Sequence, residues 1–590
     1  MRIPEKNKKF VVDNASMSRG NIYSTWNVMF DADVGKIKLN PPIVKTYSST
    51  NDSDFSIPYA MLTAPADLST FGTASDFYIL TTDDNGFGGV WGTLGGLTKL
   101  TGANSPSLAT ESTSDMALYL GAQTTEKLYV STSAGLHWVK PTESRDAWGT
   151  LLTTDAYKNN FILVPFTDTN RLYMFKSTGD SITSVQETAD GVYSLASSGA
   201  YTITSGLSGI TCARASAKRI WFASSNTPEG KSKVYEWDGV STNPLNIHVL
   251  DIPLVQSMFI LNDLPVLVDG RGRLWFYDGY TFKLKDGVNL PAREDDFNRA
   301  YVVHRNGTLT DKGKGFILAG SISFTDPNTS ERGLAGMWCY DPNIGLYHHS
   351  SPDNLSRITI PYALAKRFQE NVYALGYAGS TVNINAGSFR VSLSDTTSGL
   401  NGSTRIGFIT TQFIESKNLT DTFNTIALKY RKMIDPDAQI EVKYRMYKNI
   451  ECNTTATWTS ATTFTCSTAD LAGDGFIFNS QVVVGDEVMV QMGNNVGTIA
   501  HITNIGADIS GTTIVTIDRS VTTTSGTSYV MISNFKLLDT ITTAEAFNFK
   551  NIRLGEESTM LQVKVVMAWK GYFDELQEIV VPEQKQQTTT

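Results

Sequence analysis

The chain predicts an all-β protein: a β-propeller of about seven blades, followed by a C-terminal β-sandwich that carries a small inserted barrel. Three observations lead there. Ser, Thr, Asn and Gly are abundant while charged residues make up only 18%, below the roughly 25% usual for soluble chains, a mixture that suits strands and turns. Stretches with a 3.6-residue apolar period are few. Most tellingly, a short strand recurs: a small or polar residue, an aliphatic one, then Tyr or Trp.

The clearest copy lies in Asp269–Tyr280, DGRGRLWFYDGY. It reads as a glycine turn, a strand (Arg273, Leu274, Trp275, Phe276, Tyr277) and a second turn at Asp278-Gly279. Variants stand at Lys127-Leu128-Tyr129, Arg171-Leu172-Tyr173, Arg219-Ile220-Trp221, Gly336-Met337-Trp338 and Asn371-Val372-Tyr373. Their aliphatic positions are 44, 48, 54, 63 and 35 residues apart. A propeller blade of a few short strands needs about 40–50 residues. Successive strand residues face opposite ways, so the aliphatic and aromatic members should meet opposite neighbouring blades.

At 590 residues the chain exceeds what one core supports, and two or three domains are expected. Residues 1–60 do not read as a blade. They hold two strand-like runs, Ile22–Phe30 and Gly35–Asn40, and Pro41-Pro42 then enforces extended backbone. This arm is expected to pack on the C-terminal domain or on a neighbouring subunit. The propeller is expected over 61–400. Its first member is Asp76–Leu80, followed by the turn Asp83–Gly86 and a strand near Val90-Trp91. Shared among seven blades, that span gives about 49 residues each.

The texture changes at Leu400–Ser403, a linker, and 401–590 reads as the sandwich. Phe423–Tyr430 and Ala438–Tyr447 are expected to pair about the turn Asp435-Pro436-Asp437. A matching pair is Leu561–Ala568 with Gly571–Val581. Between them, about 451–535 is rich in Thr and Gly, with short strands broken by Gly-Asp, Asn-Asn and Gly-Thr turns, the pattern of a small barrel. The polar tail from Pro582 completes the chain.

Chemistry-bearing motifs are sparse. Ser131–Trp138 resembles the Asp-box turn of sialidase-like propellers, with Ser133 in place of the aspartate, and that turn is structural. Glu294-Asp295-Asp296 reads as a solvated loop, although such a cluster can bind a cation or carry acid–base chemistry. Asp83–Gly86 lacks the spacing of a calcium loop, and Asp311–Gly315 lacks that of a phosphate loop. His137, His248, His304, His348, His349 and His501 show no metal spacing, and there is no GxSxG elbow. No catalytic, cofactor or metal residue is assigned, and an enzyme is not expected. Cys212 and Cys339 read as buried small hydrophobes, while Cys452 and Cys466 flank one hairpin-like segment. Four cysteines make no disulfide framework.

A net charge of −9 argues against affinity gained by neutralising phosphates. The first residues have no apolar core of a secretory signal, and no window approaches the about 20 apolar residues of a membrane span. Folding in the cytosol where the chain is made is expected.

The arm Gly20–Val28 followed by Gly35–Lys38, with a propeller and then a sandwich, resembles bacteriophage tail structural proteins. In particular it is similar to the nozzle (tail tubular protein B-like) of short-tailed phages. That resemblance implies a virion protein and a homo-oligomeric ring, usually of six copies. The ring would meet tail adaptor and tail fibre proteins and conduct viral DNA during genome ejection without sequence-specific binding. The rival readings are a sialidase- or glycosidase-like propeller enzyme and a phage receptor- or carbohydrate-binding protein.

Overall fold

The computed structural model describes the strands given below, between Lys8 and Lys585, and many of their shorter connections. The elements it assigns are β-strands, so the all-β expectation holds. Seven separate antiparallel sheets come first. The first holds Ile57–Thr63, Phe77–Thr82, Val90–Gly92 and Thr98–Lys99. The second holds Thr113–Tyr119, Lys127–Thr132 and Leu136–Val139. In the third, Phe161–Phe166, Arg171–Lys176 and Ser181–Glu187 are joined by two short outer strands. The fourth contains Ile210–Ala215, Ile220–Ser224, Ser232–Trp237 and Asn246–Leu250. The fifth contains Val255–Leu261, Leu264–Asp269, Arg273–Tyr277 and Phe282–Asn289.

The sixth sheet is Arg299–Asp311, Gly315–Phe324, Arg332–Asp341 and Gly345–Ser350. The seventh joins Thr359–Lys366, Val372–Gly379 and Gly387–Ser392 to Val44–Ser48, a strand from the N-terminal region. The leading strand of each sheet touches that of the next, and the seventh touches the first. The sheets therefore close into a propeller-like ring.

The recurring strand maps onto this ring with one informative departure. Leu128, Leu172, Ile220 and Val372 lie on second strands, but Leu274 and Met337 lie on third strands. That shift lengthens the 54 step and shortens the 35 step, while the 63 step joins two third strands across the long strands of the sixth sheet. The fifth sheet's second strand is Leu264–Asp269, whose Leu-Pro-Val-Leu-Val lacks the aromatic partner. Face alternation is clear where the motif sits second. Leu128 packs with Tyr78 and Leu80 of the first sheet, while Tyr129 packs with Phe161 and Leu163 of the third. Leu172 joins the second-sheet side and Tyr173 meets Phe222 of the fourth. On a third strand the phase reverses: Trp275 turns back toward Trp221 of the fourth sheet.

Hydrogen bonds tie neighbouring sheets at named points. Ser131 Oγ accepts from Phe161 N at 2.8 Å, and Ser225 Oγ accepts from Val255 N at 2.9 Å. Tyr173 OH donates to Gly239 O at 2.8 Å, and Asp263 accepts from Ala217 N at 2.6 Å. The first three satisfy buried groups that packing would otherwise strand, at a net worth of about 1 kcal/mol apiece, while the last is exposed.

Two six-stranded sheets follow, built from both ends of the chain. One orders Val28–Asp31, Lys36–Leu39, Leu576–Lys585, Asp421–Tyr430 and Phe549–Ser558, with Lys8–Val12 also on Leu576–Lys585. The other orders Ile22–Trp26, Arg405–Thr411, Met560–Trp569, Gln439–Met446 and Lys536–Thr542, with Ile414-Glu415 also on Met560–Trp569. Leu428 and Ile579 of the first share a core with Val442 and Val565 of the second, and Met337 and Cys339 of the ring's sixth sheet join it.

Two local pairings and one strand run read from sequence are corrected here. Asp421–Tyr430 and Gln439–Met446 do not pair with each other but lie in different sheets, and so do Met560–Trp569 and Leu576–Lys585. Asp421–Tyr430 pairs with Leu576–Lys585, and Gln439–Met446 with Met560–Trp569. The single run expected over 22–30 is two strands, which enter different sheets on either side of Asn27. In each case strands consecutive in sequence lie on opposite sides of the shared core. Alternation fixes which face is buried but not which strand lies alongside.

Glu451–Trp458, Thr463–Ser467, Glu487–Gly493, Ile499–Ile505, Thr512–Ile517 and Gly526–Ser533 form a closed six-stranded barrel. Its inward positions, Trp458, Phe464, Val488, Val490, Ile502, Val515 and Val530, make a separate core. The strands before and after it, Gln439–Met446 and Lys536–Thr542, pair with each other. Cys466 stands opposite Ala456, four positions along the strand from Cys452. That is about 13 Å, too far for a disulfide.

Candidate functional site

The barrel meets the second six-stranded sheet over charged residues. On Gln439–Met446 the alternating residues Ile440 and Val442 enter the core, which turns Glu441, Lys443 and Arg445 to the other face. That face is closed off: Lys443 is 0% exposed, Arg445 2% and Glu441 5%. Register sets Lys443 directly opposite Lys564 on Met560–Trp569. Like charges so placed destabilise a sheet.

Glu487, the first residue of its barrel strand, answers both. Its Oε2 accepts from Lys443 Nζ at 2.7 Å, and its Oε1 is in direct contact with Lys564 Nζ. Glu487 itself is fully buried. Burial alone would raise its pKa, but the two ammonium groups more than offset that and hold it at about 2. Lys443 also lies 3.3 Å from Glu441, which accepts from Arg519 of the barrel at 2.6 Å. Arg445 Nε donates to Gln562 Oε1 at 2.5 Å, and Gln562 Nε2 donates to Thr411 O at 2.6 Å. Aromatic faces line the cluster. Lys564 Nζ sits 4.2 Å from the Phe408 ring centre and 5.4 Å from that of Phe535, and Arg445 lies 4.2 Å over Phe535. A small apolar contact of Phe408 and Val566 with Met489 and Ile499 completes the seam.

Removing Glu487 would take a shared carboxylate from two buried ammonium groups, a loss of about 3–5 kcal/mol. The sequence reading did not single out these residues. The available signal was the alternation Gln439-Ile-Glu-Val-Lys-Tyr-Arg445, which looks like an ordinary solvated strand face until something covers it.

The residues singled out from sequence fall elsewhere. In Ser131–Trp138 the turn is held by Thr132, whose Oγ1 accepts from Ala134 N and Gly135 N and donates to Glu111 Oε2 at 2.8 Å. His137 is 1% exposed. Its Nδ1 lies 2.7 Å from Asn104 O, and its Nε2 lies 2.6 Å from Glu111 Oε2. A carbonyl only accepts, so Nδ1 is the donor toward Asn104. The pair is closed to substrate and pins the connection between the first two sheets.

His248 packs among Trp221, Tyr277 and Phe282 at ring distances of 6.2, 5.2 and 5.4 Å. Burial lowers its pKa, against the attraction of Glu236. His501 Nδ1 lies 3.1 Å from Asp518 on the barrel. His304, and the consecutive His348 and His349, lie on strands of the sixth sheet. Glu294–Asp296 and Asp83–Gly86 lie outside the described residues, as does the middle of Asp311–Gly315. Among the described residues no group of three or more His, Cys, Asp or Glu could hold a metal, and no helix is long and apolar enough to cross a membrane.

No family model matches the chain, and no curated protein matches it. Among solved structures, a computationally designed protein, Ika8, is 13% identical, with a TM-score of 0.35, covering 64% of this chain and 98% of its own. A chain of the mitotic checkpoint complex is 12% identical at a TM-score of 0.37, covering 66% and 98%. The Dos1 propeller is 8% identical at 0.36, covering 60% and 95%.

Proposed function

We propose that this chain is a non-enzymatic structural protein of a bacteriophage tail, of the nozzle kind, whose seven sheets are the blades of one propeller. In this reading the two six-stranded sheets are the faces of a β-sandwich platform, with the barrel inserted in it. One observation supports a load-bearing part above all. A single N-terminal stretch supplies strands to both six-stranded sheets and then the strand Val44–Ser48 that completes the seventh ring sheet. The two units are thus laced together through backbone ladders and cannot separate without breaking them.

Several buried polar groups suit the same reading, since Ser131, Ser225 and Tyr173 join one sheet to the next and Glu487 joins the barrel to its sheet. Copies of the chain would form a closed ring, usually of six, through a head-to-tail interface. The ring would contact tail adaptor and fibre proteins, with DNA passing through its centre. A net charge of −9 suits a channel that does not hold DNA by counterion release.

Native mass measurement and negative-stain images of the purified chain test the ring, with a closed oligomer expected. Density for the chain along the tail axis of intact particles is the second expected result. A monomer that hydrolyses glycosides, with turnover abolished by one carboxylate substitution, would favour the enzyme reading instead. Density on the capsid shell would remove the nozzle reading.

A further inference from the structure

The seam between barrel and sheet brings a primary amine and a carboxyl group together in a dry, aromatic setting, 77 residues apart in sequence. We propose that Lys564 and Glu487 condense, without any other protein, into an amide cross-link that fastens the barrel to the sheet. Four features carry this. Both side chains are buried, Lys564 at 1% and Glu487 at 0% exposure. Lys564 Nζ touches Glu487 Oε1, so the amine is held beside the carboxyl group whose Cδ it would attack, which lowers the entropic barrier. Phe408 and Phe535 flank the amine and exclude the water that would favour the reverse reaction. Lys443 donates to the other oxygen, Oε2, at 2.7 Å, where negative charge develops.

The step balances without an added reagent. One proton passes from the Lys564 ammonium to Glu487 Oε1 along their hydrogen bond, giving a neutral amine and a neutral acid. Glu487 rests ionised between the two ammonium groups; the neutral pair is the minor form from which the step proceeds, less costly to reach in a low-dielectric site than in water. The Nζ lone pair then attacks Cδ, the C–N bond forms, and Oε2 becomes an oxyanion facing Lys443. A proton on nitrogen moves to the Oε1 hydroxyl, which leaves as water, and the carbonyl re-forms at Oε2. Lys443 is also engaged by Glu441, at 3.3 Å. This second carboxylate is also why Lys564, rather than Lys443, is the nucleophile. The product retains a carbonyl acceptor for Lys443 and removes the opposed pair of like charges.

The test is the mass of the full chain under denaturing conditions, with peptide mapping. Most chains should be lighter by one water molecule, and digestion should yield a branched peptide joining Lys564 to Glu487. Lys564→Arg keeps the positive charge but not the nucleophile, and should restore the full mass. Glu487→Gln should give the same linked product as the parent, this time by loss of ammonia. The parent readout does not depend on whether either variant folds. A parent chain of full mass with Lys564 and Glu487 in separate peptides would overturn the proposal, and so would a link through Lys443.

Discussion

Asp269 closes the strand Leu264–Asp269 and holds the turn that leads into Arg273–Tyr277. Its carboxylate is 1% exposed. Oδ1 accepts from Arg273 N at 2.9 Å, and Oδ2 accepts from Arg273 Nε at 2.7 Å and from Trp275 Nε1 at 3.0 Å. Asp269→Ala removes all three. Hydrogen bonds to a charged group are worth about 1.5–3 kcal/mol each. Against that, the variant no longer buries a carboxylate, which recovers several kcal/mol of desolvation. Arg273 is a quarter exposed and can turn to water. The net expectation is a loss of about 2–4 kcal/mol. Asp269→Asn keeps the shape and one acceptor but not the charge, and should cost about half as much. Urea unfolding followed by tryptophan fluorescence measures both, with Trp275 itself a reporter. A loss below about 0.5 kcal/mol for Asp269→Ala, or a larger loss for Asn than for Ala, would show that the carboxylate does not organise this turn.

Three further outcomes can be checked together. The sister turns Asp238-Gly239 and Asp278-Gly279 both need positive φ, +77° and +99°. A Cβ at Gly239 would stand 2.6 Å from Tyr173 OH, while one at Gly279 meets open space. Gly279→Ala should therefore cost only about 1 kcal/mol of backbone strain, and Gly239→Ala clearly more, in paired thermal melts. Burial raises the Asp486 carboxyl to about 6, against its backbone hydrogen bond from Val483 and the charge of Lys536. Its stabilising contribution is therefore complete below its ordinary value near 4 and is lost as pH rises through about 6. Asp486→Asn should flatten the rise in stability between pH 8 and pH 4, and an unchanged slope in unfolding curves would contradict this. Burial pushes the Cys466 thiol up to about 12, so it should resist alkylation in the native chain at pH 8 and react only after unfolding.

How much of this was legible in the sequence depends on the range of the interaction. The strand Arg273–Tyr277 and its flanking turns read directly from Asp269–Tyr280, because an Asp-Gly turn and a two-residue alternation are local devices. The opposed faces of Leu128 and Tyr129 followed from the same alternation, and the broken Thr- and Gly-rich strands of 451–535 marked a barrel. Tertiary structure alone decided which strands lie side by side. Asp421–Tyr430 and Gln439–Met446 looked like a hairpin, yet each pairs with a strand more than a hundred residues away. An apolar alternating strand satisfies its buried face equally well in either of two facing sheets. The seam at Glu487 was invisible for a related reason. Lys443, Glu487 and Lys564 are 44 and 77 residues apart, and each alone resembles a solvated charge. Only the docking of the barrel takes them out of water and makes their pairing obligatory.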